Sequence, residues 1–165
     1  MSDTMGAIVD KYSGMVYRTA FSYLSSREDA EDVMQEVFIR FFKQHKIFND
    51  EEHEKAWFLR VTINCSKNAL ALRKRKRETE TAAAEQLITD RAKEDYSFLF
   101  REVMSLPSKQ RICVHLFYYE NYSVGETARI TGFLPSTVKS HLRRARNTLK
   151  SKLKGVYSDE HLEEL

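Results

Sequence analysis

No apolar run in this 165-residue chain is long enough to cross a bilayer, and its first residues carry no signal-peptide pattern. A protein of the cytoplasm is expected, with no direct membrane insertion. Cysteine is scarce: Cys65 and Cys113 stand far apart, both at apolar helical positions. Without a CxxC pair or a Cys/His cluster, a zinc site is not expected. Two free buried thiols in a reducing cytosol are the simplest account. No GxxxxGK[ST], GxGxxG, HExxH or GxSxG run occurs, and the five histidines are dispersed. Neither an enzyme, nor a metal or other cofactor, nor a small-molecule substrate is therefore expected. Net charge is also small, +3 with a pI near 8.8. That is too mild for wholesale coating of nucleic acid, so any such surface must be local.

What is there begins with Ser123 to Lys154, the most organised stretch of the chain. Ser123 and Glu126 form an S-x-x-E capping box at the start of a short helix. Gly132 allows a positive φ and a sharp exit, and Pro135 suits the first turn of a second helix. Val138, Leu142, Ala145, Leu149 and Leu153 recur at three- and four-residue steps and make one apolar stripe. The other faces carry Lys139, Arg143, Arg144, Arg146, Lys150, Lys152 and Lys154, with no acid among them. Small Ala128, then glycine, then a buried valine across a short turn is the pattern of a DNA-binding helix-turn-helix. A basic helix alone would equally suit the solvated face of an ordinary bundle. The capping box, the glycine and the proline-started helix together favour DNA. His141 on the second helix is then better placed to hydrogen-bond DNA than to do acid–base chemistry.

The N-terminal half reads as three helices. Ile8, Tyr12, Met15, Val16, Ala20 and Leu24 place the first over residues 4–24. Ser25 with Glu28 is a second S-x-x-E start signal, opening a helix over about 27–44. Ala30, Val33, Val37, Phe38 and Phe41 lie on its apolar stripe, with Asp32, Gln35, Glu36 and Ile39 opposite. Ile39 is either a stray exposed aliphatic or the centre of a docking surface, and by itself it favours the former. A loop is expected over 45–52, then a third helix from about 53 to 72, running on toward 77. Phe58, Leu59, Thr62, Ile63, Ala69 and Leu70 point inward on that helix. Trp57, Arg60, Asn64, Lys67 and Asn68 share another face. Such a face suits unpaired bases, through ring stacking, amide hydrogen bonds and cation–phosphate contact. Trp57 serves equally well as a core anchor, and both readings stand. The run Arg73, Lys74, Arg75, Lys76, Arg77 is either solvated surface or a phosphate grip.

Residues 78–94 turn polar and acidic without an apolar stripe, which marks an interdomain linker. The apolar pattern restarts at Tyr96, breaks at Pro107 and resumes through Ile112, Cys113 and Leu116. The expected architecture is all-α: one small helical domain over 1–77, the linker, a four-helix domain over 95–156, and an acidic tail over 157–165.

Three motifs, in order and over nearly the whole chain, resemble the extracytoplasmic-function sigma factors of bacterial RNA polymerase. They are EDAEDVMQEVFIRFF at 28–42, KAWFLRVTINCSKN at 55–68, and the stretch from LPSKQRICVHLFYYENYSVGE onward at 106–153. The two halves resemble sigma regions 2 and 4. The resemblance implies that Asp32, Gln35, Glu36 and Ile39 dock on the clamp helices of the polymerase's largest subunit. It implies that the loop near 47–54, with Phe48 and Asn49, captures a flipped base of the promoter −10 element. Trp57, Arg60, Asn64 and Lys67 would line the same melted strand. Thr137, Lys139, Ser140, His141, Arg143, Arg144 and Arg146 would read the −35 element in the major groove. One departure is Leu134, which stands where the family has a polar helix cap. The implied partners are core polymerase through its clamp helices and flap, double- and single-stranded promoter DNA, and an anti-sigma factor. The rival is a stand-alone helix-turn-helix regulator whose N-terminal half senses a ligand or a partner.

Overall fold

The computed structural model describes residues 2–79 and 98–154, and every regular element among them is helical. They fall into two compact units, Met1–Ile88 and Thr89–Leu165. The linker expected at 78–94 lies outside the described residues except for 78 and 79, which continue the third helix. The acidic tail at 157–165 lies wholly outside them.

The first unit contains α1 (Ser2–Leu24), α2 (Arg27–Gln44) and α3 (Glu51–Thr79), each packed on the other two. Its core is the inner stripe of each helix: Val16 and Leu24, Val33 and Val37, Phe58, Leu59 and Ile63 are buried. Each contributes roughly 1.5–3 kcal/mol by leaving water. Thr62 and Ser66 are also buried, and their hydroxyls donate to Phe58 O and Thr62 O one turn back, so neither hydroxyl is stranded. The start of α2 differs from expectation by one residue. Ser25 takes a left-handed φ of 54° and ends α1, its N–H reaching Phe21 O at 2.8 Å. Ser26 is the cap, accepting from Asp29 N at 3.2 Å. Two adjacent serines offered two registers, and the αL turn left only the second free to cap.

The second unit contains α4 (Phe98–Met104), α5 (Ser108–Val114), a π-helical turn (His115–Tyr119), α6 (Val124–Thr131) and α7 (Pro135–Leu153). Leu106, Ala145, Leu149 and Leu153 form one cluster of its core, with Phe98, Val103 and Val114 against them, and Ile112, Leu116, Val138 and Leu142 are buried as well. Arg111 is buried because its guanidinium donates to Met104 O and Leu106 O, both at 2.9 Å, at the C-terminal end of α4. Both cysteines are free and buried, and burial pushes the Cys113 thiol up to about 12.

The helix-turn-helix forms from local signals. Ser123 Oγ accepts from Glu126 N at 3.1 Å, while Glu126 Oε2 accepts from Ser123 N at 2.8 Å. Such a cap contributes about 1 kcal/mol. Gly132, at φ 79°, ends α6 and returns its N–H to Ala128 O at 2.8 Å. Leu134 precedes α7 with no side-chain cap, and Pro135 opens it. All five members of the expected α7 stripe are buried.

Candidate nucleic-acid interface

In the first unit the loop between α2 and α3 is short and firmly seated. His45 at φ 47° ends α2, and Asp50 Oδ1 accepts from His53 N at 2.7 Å to start α3. Between them Phe48 turns inward. Its ring stacks on Phe41 at 6.2 Å and meets the edges of His53 at 5.7 Å and Trp57 at 5.9 Å. Trp57 in turn lies against Phe41 at 5.6 Å and Phe58 at 5.1 Å, and is only 7% exposed.

This corrects the expectation for Trp57. Its helical azimuth does match Arg60 and Asn64, but the loop folds over it, so the ring is a core anchor and not an open stacking surface. Asn49, Arg60 and Asn64 are exposed, and Lys67 is half-buried. A polar stripe at 60, 64 and 67 therefore runs along α3 below the seated loop. Two of the three acids at the start of α3 are engaged elsewhere. Lys11 on α1 pairs with Glu51 at 3.0 Å, and Tyr12 Oη donates to Glu54 at 2.7 Å. Burial, and then that bond to Glu54, raise Tyr12 to about 12.

The basic run divides. Arg73 donates to Leu24 O at 3.1 and 3.2 Å and pairs with Asp29. Its assignment as a phosphate contact is corrected: α3 continues past the end of α1, which brings residue 73 onto the inner face. Lys74, Arg75, Lys76 and Arg77 are exposed. On α2, Asp32, Gln35, Glu36 and Ile39 are all exposed, Ile39 at 47%. Glu36 pairs with Arg40 at 2.8 Å.

In the second unit Lys139, Arg143 and Arg144 are exposed on α7, while Thr137, Ser140, His141 and Arg146 are half-buried. Arg146 donates to Tyr118 Oη on the π turn at 3.1 Å. The His141 ring sits 5.5 Å from Phe133, with Nδ1 buried and unpaired. Burial first, then the nearby Arg144 and Lys109 cations, hold its imidazole below the usual histidine range. This favours a neutral ring.

Among the exposed apolar residues that the sequence pattern does not single out, two lie beside these surfaces. Ile47 at the loop tip is 91% exposed, and Leu72 on α3 is 59% exposed. Neither breaks a pattern, so nothing in the periodicity singled them out.

The geometry thus places a polar face under a seated loop in one unit and a basic helix in the other. The sigma-70 region 2 family model matches residues 8–78, and the sigma-70 region 4 model matches residues 99–149. The chain is 29% identical over 140 residues to the RNA polymerase sigma factor SigV of Bacillus subtilis, covering 83% of each. It is 26% identical over 172 residues to the ECF sigma factor SigW of the same organism, covering 93% of this chain and 91% of that one. Among solved structures it resembles the sigma factor RpoE of Bartonella quintana, crystallised with the anti-sigma factor NepR. The TM-score is 0.68 at 23% identity, covering 95% of this chain and 100% of that one. CnrH, solved with the cytosolic domain of CnrY, gives a TM-score of 0.61 at 18% identity, covering 95% and 92%. These two likenesses are of fold. With both regions matched in order and full-length relatives of the same class, the chain belongs to the extracytoplasmic-function sigma factors of bacterial RNA polymerase.

Proposed function

We propose a division of labour between the two units of this sigma factor. Residues 1–77 act as region 2, 78–94 as linker, 95–156 as region 4 and 157–165 as an acidic tail. Asp32, Gln35, Glu36 and Ile39 dock on the clamp helices of the largest polymerase subunit. The loop at Phe48 and Asn49, with Arg60, Asn64 and Lys67 below it, holds non-template −10 bases that have left the stack. Capture of unpaired bases then favours strand separation without ATP. Trp57 supports that loop from beneath. Lys74, Arg75, Lys76 and Arg77 follow the phosphate backbone, which makes affinity salt-dependent. Thr137, Lys139, Ser140, His141, Arg143, Arg144 and Arg146 face the −35 major groove.

The observation that carries this reading is the exposed Arg60–Asn64 stripe beside a loop whose Phe48 is held by three aromatic rings. Bases out of the stack need amide and cation partners held at fixed positions, and this surface supplies them. The protein works in the cytoplasm, as an initiation factor without catalysis of its own. RpoE was solved with the anti-sigma factor NepR, and CnrH with the cytosolic domain of CnrY. An anti-sigma factor covering these faces would hold this chain silent.

Run-off transcription with purified core polymerase is the test. Initiation at a subset of genomic promoters, absent with core alone, is the expected result. Failure at every promoter, with footprinting of a repeated operator by the free protein, would establish the regulator instead.

A further inference from the structure

Between α2 and α3 lies a groove of about 410 Å³. Val33, Cys65, Ala69 and Leu72 make its apolar surface, and Asp32 and Glu36 stand on its α2 wall. The Asp29–Arg73 pair is at one end, and Arg40 lines the other. From residue 29 to residue 40 is about 16 Å at the helical rise per residue, or three turns. Two features mark it as a place for a protein. Leu72 keeps 59% of its surface in water immediately before the basic run at 73–77. Among the described residues the exposed Asp32 has no ion-pair partner.

We infer that core polymerase, docked on α2, also seats a helix in this groove, with an aliphatic side chain on Leu72 and Ala69 and an arginine or lysine on Asp32. The inference rests on the α2 docking reading above. Asp32 and Glu36 belong both to that docking face and to the groove wall, so a helix lying on the face overhangs the groove. Three acids and three cations line the groove, but Asp29 is paired with Arg73 and Glu36 with Arg40, and Lys76 lies on the α3 side, which leaves Asp32 as the acid that would attract a cationic side chain. An aliphatic knob flanked by a cation matches the apolar floor and Asp32 together, as in helix-in-groove recognition. The footprint therefore spans two helices, and Leu72 is a contact in it.

The test is equilibrium binding of the full chain to core polymerase, with Ile39→Glu and Leu72→Glu compared. Leu72→Glu should weaken binding at least about tenfold, the effect of burying an unpaired charge in an apolar contact. Leu72→Ile should stay within about twofold, since volume and polarity are kept. Because Leu72 is exposed, the far-ultraviolet circular dichroism should not change. If Leu72→Glu does lose helicity, a photo-crosslinking residue at position 72 of the holoenzyme decides instead, and should capture the largest subunit. If Ile39→Glu weakens binding and Leu72→Glu does not, the groove inference alone falls. If neither does, the α2 reading falls with it. Crosslinking of position 72 to DNA, or to a regulator but not to core, would also overturn the groove assignment.

Discussion

The two surfaces proposed to face DNA are built by different means. On α7, five buried apolar residues occupy one stripe, and the cations fill the rest of the helix with no acid between them. Backbone hydrogen bonds hold the helix straight, so side chains at 139, 143 and 144 have known spacing before DNA arrives. The first unit has a longer helix, α3, but its proposed reader is divided between a short loop and the α3 stripe at 60, 64 and 67, and the two are brought into register by Phe41, Phe48, Trp57 and Phe58. Charge is handled differently too. Lys11, Arg40 and Arg73 are each paired within the first unit, whereas no acid on α7 competes for its cations. A duplex offers a fixed groove, so a rigid helix with exposed cations at 139, 143 and 144 suffices. A base out of the stack has no fixed place, so the protein must supply the rigidity, and aromatic packing does so.

The comparison breaks most readily at Trp57. Trp57→Ala should cost the first unit about 3–5 kcal/mol by opening a cavity under the loop. Chemical denaturation would read this as a lowered midpoint. A variant of unchanged stability that fails only in promoter melting would return the ring to the surface role.

On α7 the opposite split is expected. Arg143→Ala with Arg144→Ala should leave stability unchanged and weaken −35 duplex binding by about 1–3 kcal/mol per residue that contacts a base edge. For each residue that contacts only phosphate, the salt slope should instead fall by about one. Titrations at several salt concentrations distinguish the two. Arg73→Met, by contrast, should destabilise the first unit and leave the salt slope alone.

Within the first unit the two faces should separate. Asn64→Ala should slow open-complex formation about tenfold, with core affinity unchanged, on the scale of one lost base contact. Ile39→Glu should weaken core binding by a similar factor and leave melting by assembled holoenzyme intact. Equal defects in both assays would dissolve the distinction.

The smallest effect concerns pH. Because His141 is held below its ordinary value of 6.5, the unfolded chain takes up a proton first as pH falls. Its contribution is thus fully present above about pH 6.5 and is lost progressively on acidification toward the folded-state value. Denaturation of wild type and His141→Gln at neutral pH and at about pH 5.5 should show the smaller pH dependence in the variant.

The second unit was legible in the sequence where its signals are local. Ser123 with Glu126, then Gly132, Pro135 and the α7 stripe, act within a few residues of themselves, and their geometry is as expected. Ser25 shows the limit of local reading: two neighbouring serines can each cap, and the backbone at the α1–α2 junction chose Ser26. The candidate sites were half legible. Asp32, Gln35, Glu36, Ile39, Arg60 and Asn64 are exposed as the periodicity predicts. Trp57 and Arg73 are not where charge and azimuth suggested, since each meets a partner distant in sequence or brought over by a loop.

The sequence by itself determined the helices, most of the face each one buries and the two-region organisation, because helical period, caps and breakers operate over one or two turns. Only the tertiary structure decided that Trp57 lies under the loop, that Arg73 closes on Asp29 and Leu24, and that Leu72 and Asp32 border one groove. Those facts depend on which surfaces three helices present to each other once packed. Helical period places a residue on its own helix but says nothing of what covers it.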